Sequence, residues 1–186
     1  MISTFKLPLT FDAAPLRRDL EALAPSDWTP HFNTQYYEGD WSGVALRAPV
    51  GAHVALYPDP TAEGYEDTET LAHCPSVSNV LDEFHCLTEA VRFLRLGPRA
   101  VIHEHRDYRL SYEDGLARVH IPIKTSGEVE FYLGGQRVEM KEGEAWYLNF
   151  NLPHSVKNNG TDERVHLVID CVVNDWFKEI VSSRRD

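Results

Sequence analysis

Turn spacing in the second half of the chain most constrains what it can fold into. The segments Val101–Asp107, Ala117–Lys124, Glu128–Leu133, Arg137–Met140, Ala145–Phe150, Ser155–Asn158 and Arg164–Val173 alternate in polarity or are rich in β-branched and aromatic residues. The Gly134-Gly135 pair between two of them is a hairpin signal. Together with Glu89–Leu96 they make seven or eight strands in about 85 residues. So many short strands predict a mainly β fold, an antiparallel sandwich or small barrel whose edges are removed by closure or by a second sheet.

The flanks read differently. Asp12–Ala24 places Leu16, Leu20 and Leu23 on one face, with Asp12 as N-cap and Pro15 in the first turn, and predicts an amphipathic helix. A second helix is predicted over Ser76–Phe84, and a third over Asn174–Ser183, capped by Asn174 with Trp176, Phe177 and Ile180 on one side. Trp28–Arg47, rich in aromatics and turn residues, reads as short strands and loops, and the acidic run Tyr57–Thr70 as an exposed loop. With no repeat or linker, residues 1–186 are expected to form a single domain. Residues 1–90 would decorate it as a substrate wall, 91–173 would form the core and 174–186 the terminal helix.

Composition narrows the function. A net charge of -11 argues against nucleic acid and anionic membranes as partners, and no apolar run approaches a membrane span. Most of the basic residues nevertheless lie after residue 93. Three cysteines, Cys74, Cys86 and Cys171, in a chain too long to need staples read as reduced thiols, and the N-terminus lacks the apolar core of a signal peptide. A cytoplasmic protein is expected.

The densest polar cluster is VIHEHRDYR, residues 101–109. On a regular strand His103, His105 and Asp107 share one face, so a histidine and a carboxylate two residues apart are positioned to hold one metal ion. His154 in NLPHSV supplies a third ligand if its strand lies alongside. Two histidines and a carboxylate with the remaining positions open make the facial triad of non-haem Fe(II) oxygenases. Arg164 precedes the apolar run VHLVIDCVV; because a guanidinium cannot shed its charge, it needs an anion there, which a bound dicarboxylate would supply. Arg118 and His120 in LARVHIPI share the face opposite Ala117, Val119, Ile121 and Ile123.

In their order and context (RLGPRAVIHEHRD, EGEAWYLNFNLPHSVKNNG, ERVHLVIDC) these residues resemble the aspartyl/asparaginyl β-hydroxylase family, to which bacterial proline hydroxylases are related. HFNTQYYEGDWSGVALR also resembles bacterial proteins of this group. The resemblance implies a double-stranded β-helix (jelly roll, cupin-like) and an oxidoreductase, a hydroxylase that uses Fe(II), 2-oxoglutarate as cosubstrate and O2. It implies His105, Asp107 and His154 as iron ligands and catalytic residues, Arg164 on the distal carboxylate of 2-oxoglutarate, and Arg118 and His120 as further cosubstrate contacts. Animal aspartyl β-hydroxylases lack the carboxylate ligand that Asp107 provides here, so their substrate does not carry over.

Two rival readings use the same residues. Gly97, His103-x-His105, His154 and Asn158 fit the ends of a cupin motif, a metalloenzyme not using 2-oxoglutarate, but Arg109 stands where a cupin needs a glutamate. A non-catalytic β-sandwich binding a small acid or a protein partner is the other. For the small-molecule or peptide substrate, Arg95, Asn33 and Trp41 are the candidates, with Tyr36 and Arg47 in the same N-terminal segment. Asn149 and Asn151 read as turn residues, and the acidic stretch from Asp59 to Glu69 as a possible lid.

Overall fold

The computed structural model describes residues 1–186 apart from 53–55, 57, 60 and 184–186. In chain order its elements are β1 (Thr4–Thr10), α1 (Ala13–Glu21), β2 (Thr29–Pro30), β3 (Tyr37–Glu38), β4 (Trp41–Pro49), β5 (Tyr65–Asp67), α2 (Pro75–Asp82) and β6 (Thr88–Leu96). There follow β7 (Val101–His105), β8 (Leu116–Lys124), β9 (Val129–Leu133), β10 (Gln136–Arg137), β11 (Glu144–Leu148), β12 (His154–Asn158), β13 (Arg164–Val172) and α3 (Asp175–Ser183). One sheet runs β1-β11-β8-β13-β6-β4-β2 with β5 on the side of β4, and the other runs β10-β9-β12-β7-β3. Two facing antiparallel sheets form a jelly roll.

The central strands of the larger sheet, β8 and β13, turn alternate side chains to opposite faces, as the period of two requires. Ala117, Val119, Ile121 and Ile123 of β8, and Val165, Leu167, Ile169 and Cys171 of β13, pack with Leu16 and Leu20 of α1, Val77 and Val80 of α2, and Phe177 of α3. The helices thus cover the outer face of this sheet. Leu96, Ile102, Phe131, Leu148, Phe150 and Val156 fill part of the space between the sheets, and the polar residues of β8 and β13 line the rest.

Local signals explain most boundaries. The Asp12 side chain accepts from the Ala14 amide at 2.9 Å and opens α1, and Asn174 accepts from the Phe177 amide at 3.1 Å and opens α3. Gly134 and Gly135 both have positive φ, +57° and +76°, as the tight β9–β10 hairpin needs. Three features depart from expectation. β1 pairs with β11 as an edge strand that the sequence pattern did not suggest, and β4 runs for nine residues where only short strands were expected. The acidic stretch contains β5, paired with β4; Tyr57 and Pro60 of that stretch lie outside the described residues.

Candidate metal centre and its anion pocket

A β-bulge sets the site. In the β7–β12 pair His154 lies opposite His105 but Val156 lies opposite Ile102, so two residues of β7 oppose one of β12. The extra residue breaks the alternation: Ile102 and His105 both face the cavity between the sheets, while His103 turns outward toward Glu38, 3.3 Å from its carboxylate. The expected shared face of His103, His105 and Asp107 is thereby corrected, and with it the cupin reading, which needs His103 beside His105. β7 also ends at His105, and the Asp107 amide is held by the Phe150 carbonyl at 3.0 Å.

The structure brings His105, Asp107 and His154 together, with one ligand atom from each lying within 4.8 Å of the others. Both rings are preset for metal binding. Nδ1 of His105 lies 2.8 Å from the His103 carbonyl, and Nδ1 of His154 lies 3.1 Å from the Leu152 carbonyl. A carbonyl only accepts, so each Nδ1 carries the proton and each Nε2 keeps its lone pair. Burial lowers the His154 pKa to about 4, against a partial upward pull from Asp107, so that ring stays neutral. The donor set of two imidazoles and one carboxylate fits Fe(II) with positions left for other ligands.

Across the cavity, of about 410 Å³, lies a candidate anion pocket. Arg164 is 2% exposed and has no carboxylate partner among the described residues; its Nη2 donates to Nδ1 of His166 at 2.9 Å and its Nε has no partner. Burial alone pulls its pKa down to about 9. His120 Nε2 is likewise buried without a partner among the described residues, its ring stacked on Phe150. Unpartnered buried polar atoms of this kind are costly and call for a ligand.

Between the two sites runs a chain of charge. Asp170, fully buried, accepts from Arg118 Nε at 2.6 Å and Nη2 at 3.0 Å, and from Arg92 Nη1 at 3.0 Å. Arg118 Nη1 then donates to Asp107 Oδ2 at 2.9 Å. Burial raises the Asp170 pKa, but Arg118 and Arg92 outweigh it and hold the carboxyl below its ordinary range.

A model of the aspartyl/asparaginyl beta-hydroxylase family matches residues 11–173. The chain belongs to this family. Among curated relatives it is 27% identical over 176 residues to an L-proline cis-4-hydroxylase of Rhizobium meliloti, covering 91% of this chain and 61% of that protein. It is 26% identical over 177 residues to L-proline cis-3-hydroxylase 1 of a Streptomyces species, covering 92% and 60%. The chain therefore spans about three fifths of the length of these relatives. Among solved structures, an oxidoreductase of the 2OG-Fe(II) oxygenase family from Burkholderia pseudomallei aligns with a TM-score of 0.64 at 18% identity, covering 91% of this chain and 85% of that one. A Pseudomonas putida prolyl-4-hydroxylase aligns at 0.51 and 17%, covering 92% and 93%. Both likenesses concern the fold, the double-stranded β-helix.

Within this family member the remaining expected residues divide. Asn33, Tyr36 and Trp41 line the cavity; Trp41 stacks on His31 at 3.5 Å and leaves its buried Nε1 without a partner. Arg95 does not line it. The alternation of β6 turns Arg95 to the opposite face, where it pairs with Asp40 at 3.2 Å and lies over Trp28. Arg92, on the cavity face, stands where Arg95 was expected. Arg47 is also elsewhere, held by Asp67 and Thr88. Arg118 lines the cavity, its Nε and Nη2 donating to Asp170 and its Nη1 to Asp107. Asn151 accepts from the Leu110 amide and donates to Asp114, as a turn residue does. Arg92, His166 and Asp170 were missed although a signal exists: on β13 the polar residues Arg164, His166 and Asp170 fall at even spacing in an otherwise apolar strand.

Proposed function

We propose that the chain is an Fe(II)- and 2-oxoglutarate-dependent dioxygenase that hydroxylates an amino acid, or an aspartyl, asparaginyl or prolyl side chain in a peptide. One observation carries the reading: a buried guanidinium without a counter-charge among the described residues, Arg164, shares a cavity with two imidazoles and a carboxylate whose lone pairs converge. His105, Asp107 and His154 would hold the iron, and Arg164 the distal carboxylate of 2-oxoglutarate. Bound iron, with 2-oxoglutarate and O2, supplies the oxidising chemistry that ends in succinate, carbon dioxide and a hydroxylated C–H bond.

The protein's own part is geometric and electrostatic. Arg118, locked by Asp170, holds Asp107 at one oxygen and leaves the other toward the histidines. Trp41, Leu94, Ile102, Phe131, Phe150 and Val156 give the cavity apolar walls that exclude water. Among the described residues the buried Arg92, Arg118 and Arg164 are met by the buried Asp170 and the half-buried Asp107, and the exposed Arg106 also lines the cavity, leaving positive charge in excess. A divalent ion and a dianionic cosubstrate cancel each other, so the balance favours a substrate that brings a carboxylate, with Arg92, Trp41 and Asn33 as its contacts. The three cysteines, all free, support a reducing, cytoplasmic setting.

Anaerobic addition of Fe(II) and 2-oxoglutarate is expected to give a weak visible charge-transfer band that Arg164→Ala abolishes. Succinate release should then be stimulated by amino acids or peptides bearing a free carboxylate over their amides. Absence of both the band and 2-oxoglutarate binding would refute the reading; equal turnover of acids and amides would refute the charge argument.

A further inference from the structure

We infer that His166, a residue outside the expected site, is the positioning residue of the anion pocket: its Nδ1 is a single acceptor that fixes both the Arg164 guanidinium and the tautomer of His120. The inference rests on the functional reading above for the identity of the anion. β13 places Arg164 and His166 two residues apart, both turned between the sheets, and β8 brings His120 alongside. Nδ1 of His166 lies 2.9 Å from Arg164 Nη2 and 3.2 Å from His120 Nδ1.

Donor and acceptor inventory then leaves one arrangement. A guanidinium has only donors, so His166 Nδ1 must present its lone pair and carry its proton on Nε2. His120 Nδ1 faces that same lone pair and must therefore be protonated. Both rings are neutral, since burial, reinforced by Arg164, holds their pKa values well below the ordinary histidine range. A neutral His120 protonated at Nδ1 shows a lone pair at its unpartnered Nε2.

This explains how an uncompensated guanidinium is kept in place before any anion arrives. Arg164 also lies over the ring of Phe131, 5.9 Å from its centroid, a contact that does not fix the rotation of the guanidinium plane. The neutral acceptor anchors one nitrogen without neutralising the charge. A carboxylate at position 166 would instead cancel the attraction for the ligand.

The test separates orientation from mere packing. In asparagine the side-chain oxygen lies near the place of a histidine Nδ1, so His166→Asn preserves the acceptor and His166→Leu removes it. The 2-oxoglutarate dissociation constant, measured anaerobically by calorimetry on metal-loaded protein, is expected to rise at least about tenfold in His166→Leu and to stay within about threefold in His166→Asn. Affinity for the metal alone should not change in either. Nitrogen-15 spectra of the histidine rings in wild-type protein should show an unprotonated Nδ1 on His166 and a protonated Nδ1 on His120. A folded His166→Leu protein with unchanged 2-oxoglutarate affinity, or a protonated His166 Nδ1, overturns the inference. Should His166→Leu not fold, the spectra decide, and a loss of 2-oxoglutarate affinity of about tenfold or more in His166→Asn, which keeps the acceptor, likewise overturns the inference. Wild-type protein that binds metal but no 2-oxoglutarate overturns the functional reading instead, and the spectra still decide the role of His166.

Discussion

Asp170 is the residue whose removal should cost most for its size. It is fully buried and accepts three hydrogen bonds from two guanidiniums that are themselves only 4% and 6% exposed, Arg92 and Arg118. Asp170→Asn keeps the volume but removes the charge and turns an amide N–H₂ toward donors. Arg118 keeps Asp107, whereas Arg92 loses its only ion-pair partner among the described residues. Breaking a buried pair of this kind costs about 3–5 kcal/mol, most of it the penalty of a buried unpaired charge. For a chain of this size that lowers Tm by about 6–20 °C.

Urea and thermal unfolding of the metal-free protein measure the loss. The triple replacement Asp170→Leu, Arg92→Met and Arg118→Met distinguishes charge from packing: without charges to desolvate, it should recover most of the stability that the single substitution loses. An Asp170→Asn protein within about 1 kcal/mol of wild type would refute the reasoning. Because the folded carboxyl titrates below its unfolded value, its contribution is present above the ordinary carboxylate range and is lost as pH falls through the lower folded value.

Gly143 has φ of +80°, and a Cβ there would strike the Phe11 carbonyl oxygen, so Gly143→Ala should cost at least about 2 kcal/mol in urea unfolding; a change below about 0.5 kcal/mol would contradict the geometry. His120, His154 and His166 are buried with lowered pKa values, His154 to about 4, so the unfolded chain takes up protons below pH 6.5 that the fold refuses. The metal-free protein should therefore lose stability as pH drops below 6.5, by up to about 1.4 kcal/mol per pH unit for each ring, and denaturation midpoints equal at pH 7.5 and 5.5 would refute this. His103→Ala should leave metal affinity unchanged while His105→Ala lowers it at least tenfold; the reverse order would restore the cupin reading.

Much of this could be read from residues, and what could not has physical reasons. The strands after residue 88 were legible because each is bounded by turn chemistry and alternates on a two-residue period. β1 was not: as an edge strand with one pairing partner, its TFKLPLT has weak alternation and contains Pro8. The composition of VIHEHRD brought out His105 and Asp107, but the bulge that turns His103 outward depends on β12, which lies about 50 residues away. Arg92 and Arg95 differ in nothing local except parity, and only the pairing of β6 with β13 and β4 decides which of them meets the cavity.

The two-sided use of the larger sheet explains how the site tolerates its own cost. The outer faces of β8 and β13 are wholly apolar and packed under three helices, so the stability of the sheet comes from the side away from the cavity. Their inner faces are then free to carry Arg118, His120, Arg164, His166 and Asp170, including His120 Nε2 and Arg164 Nε, which have no partner among the described residues. A strand buried on both faces usually reads as continuous hydrophobic sequence. Here the departures from that rule on β8 and β13 all fall on one face, and that concentration points to a binding site over a set of scattered structural ion pairs.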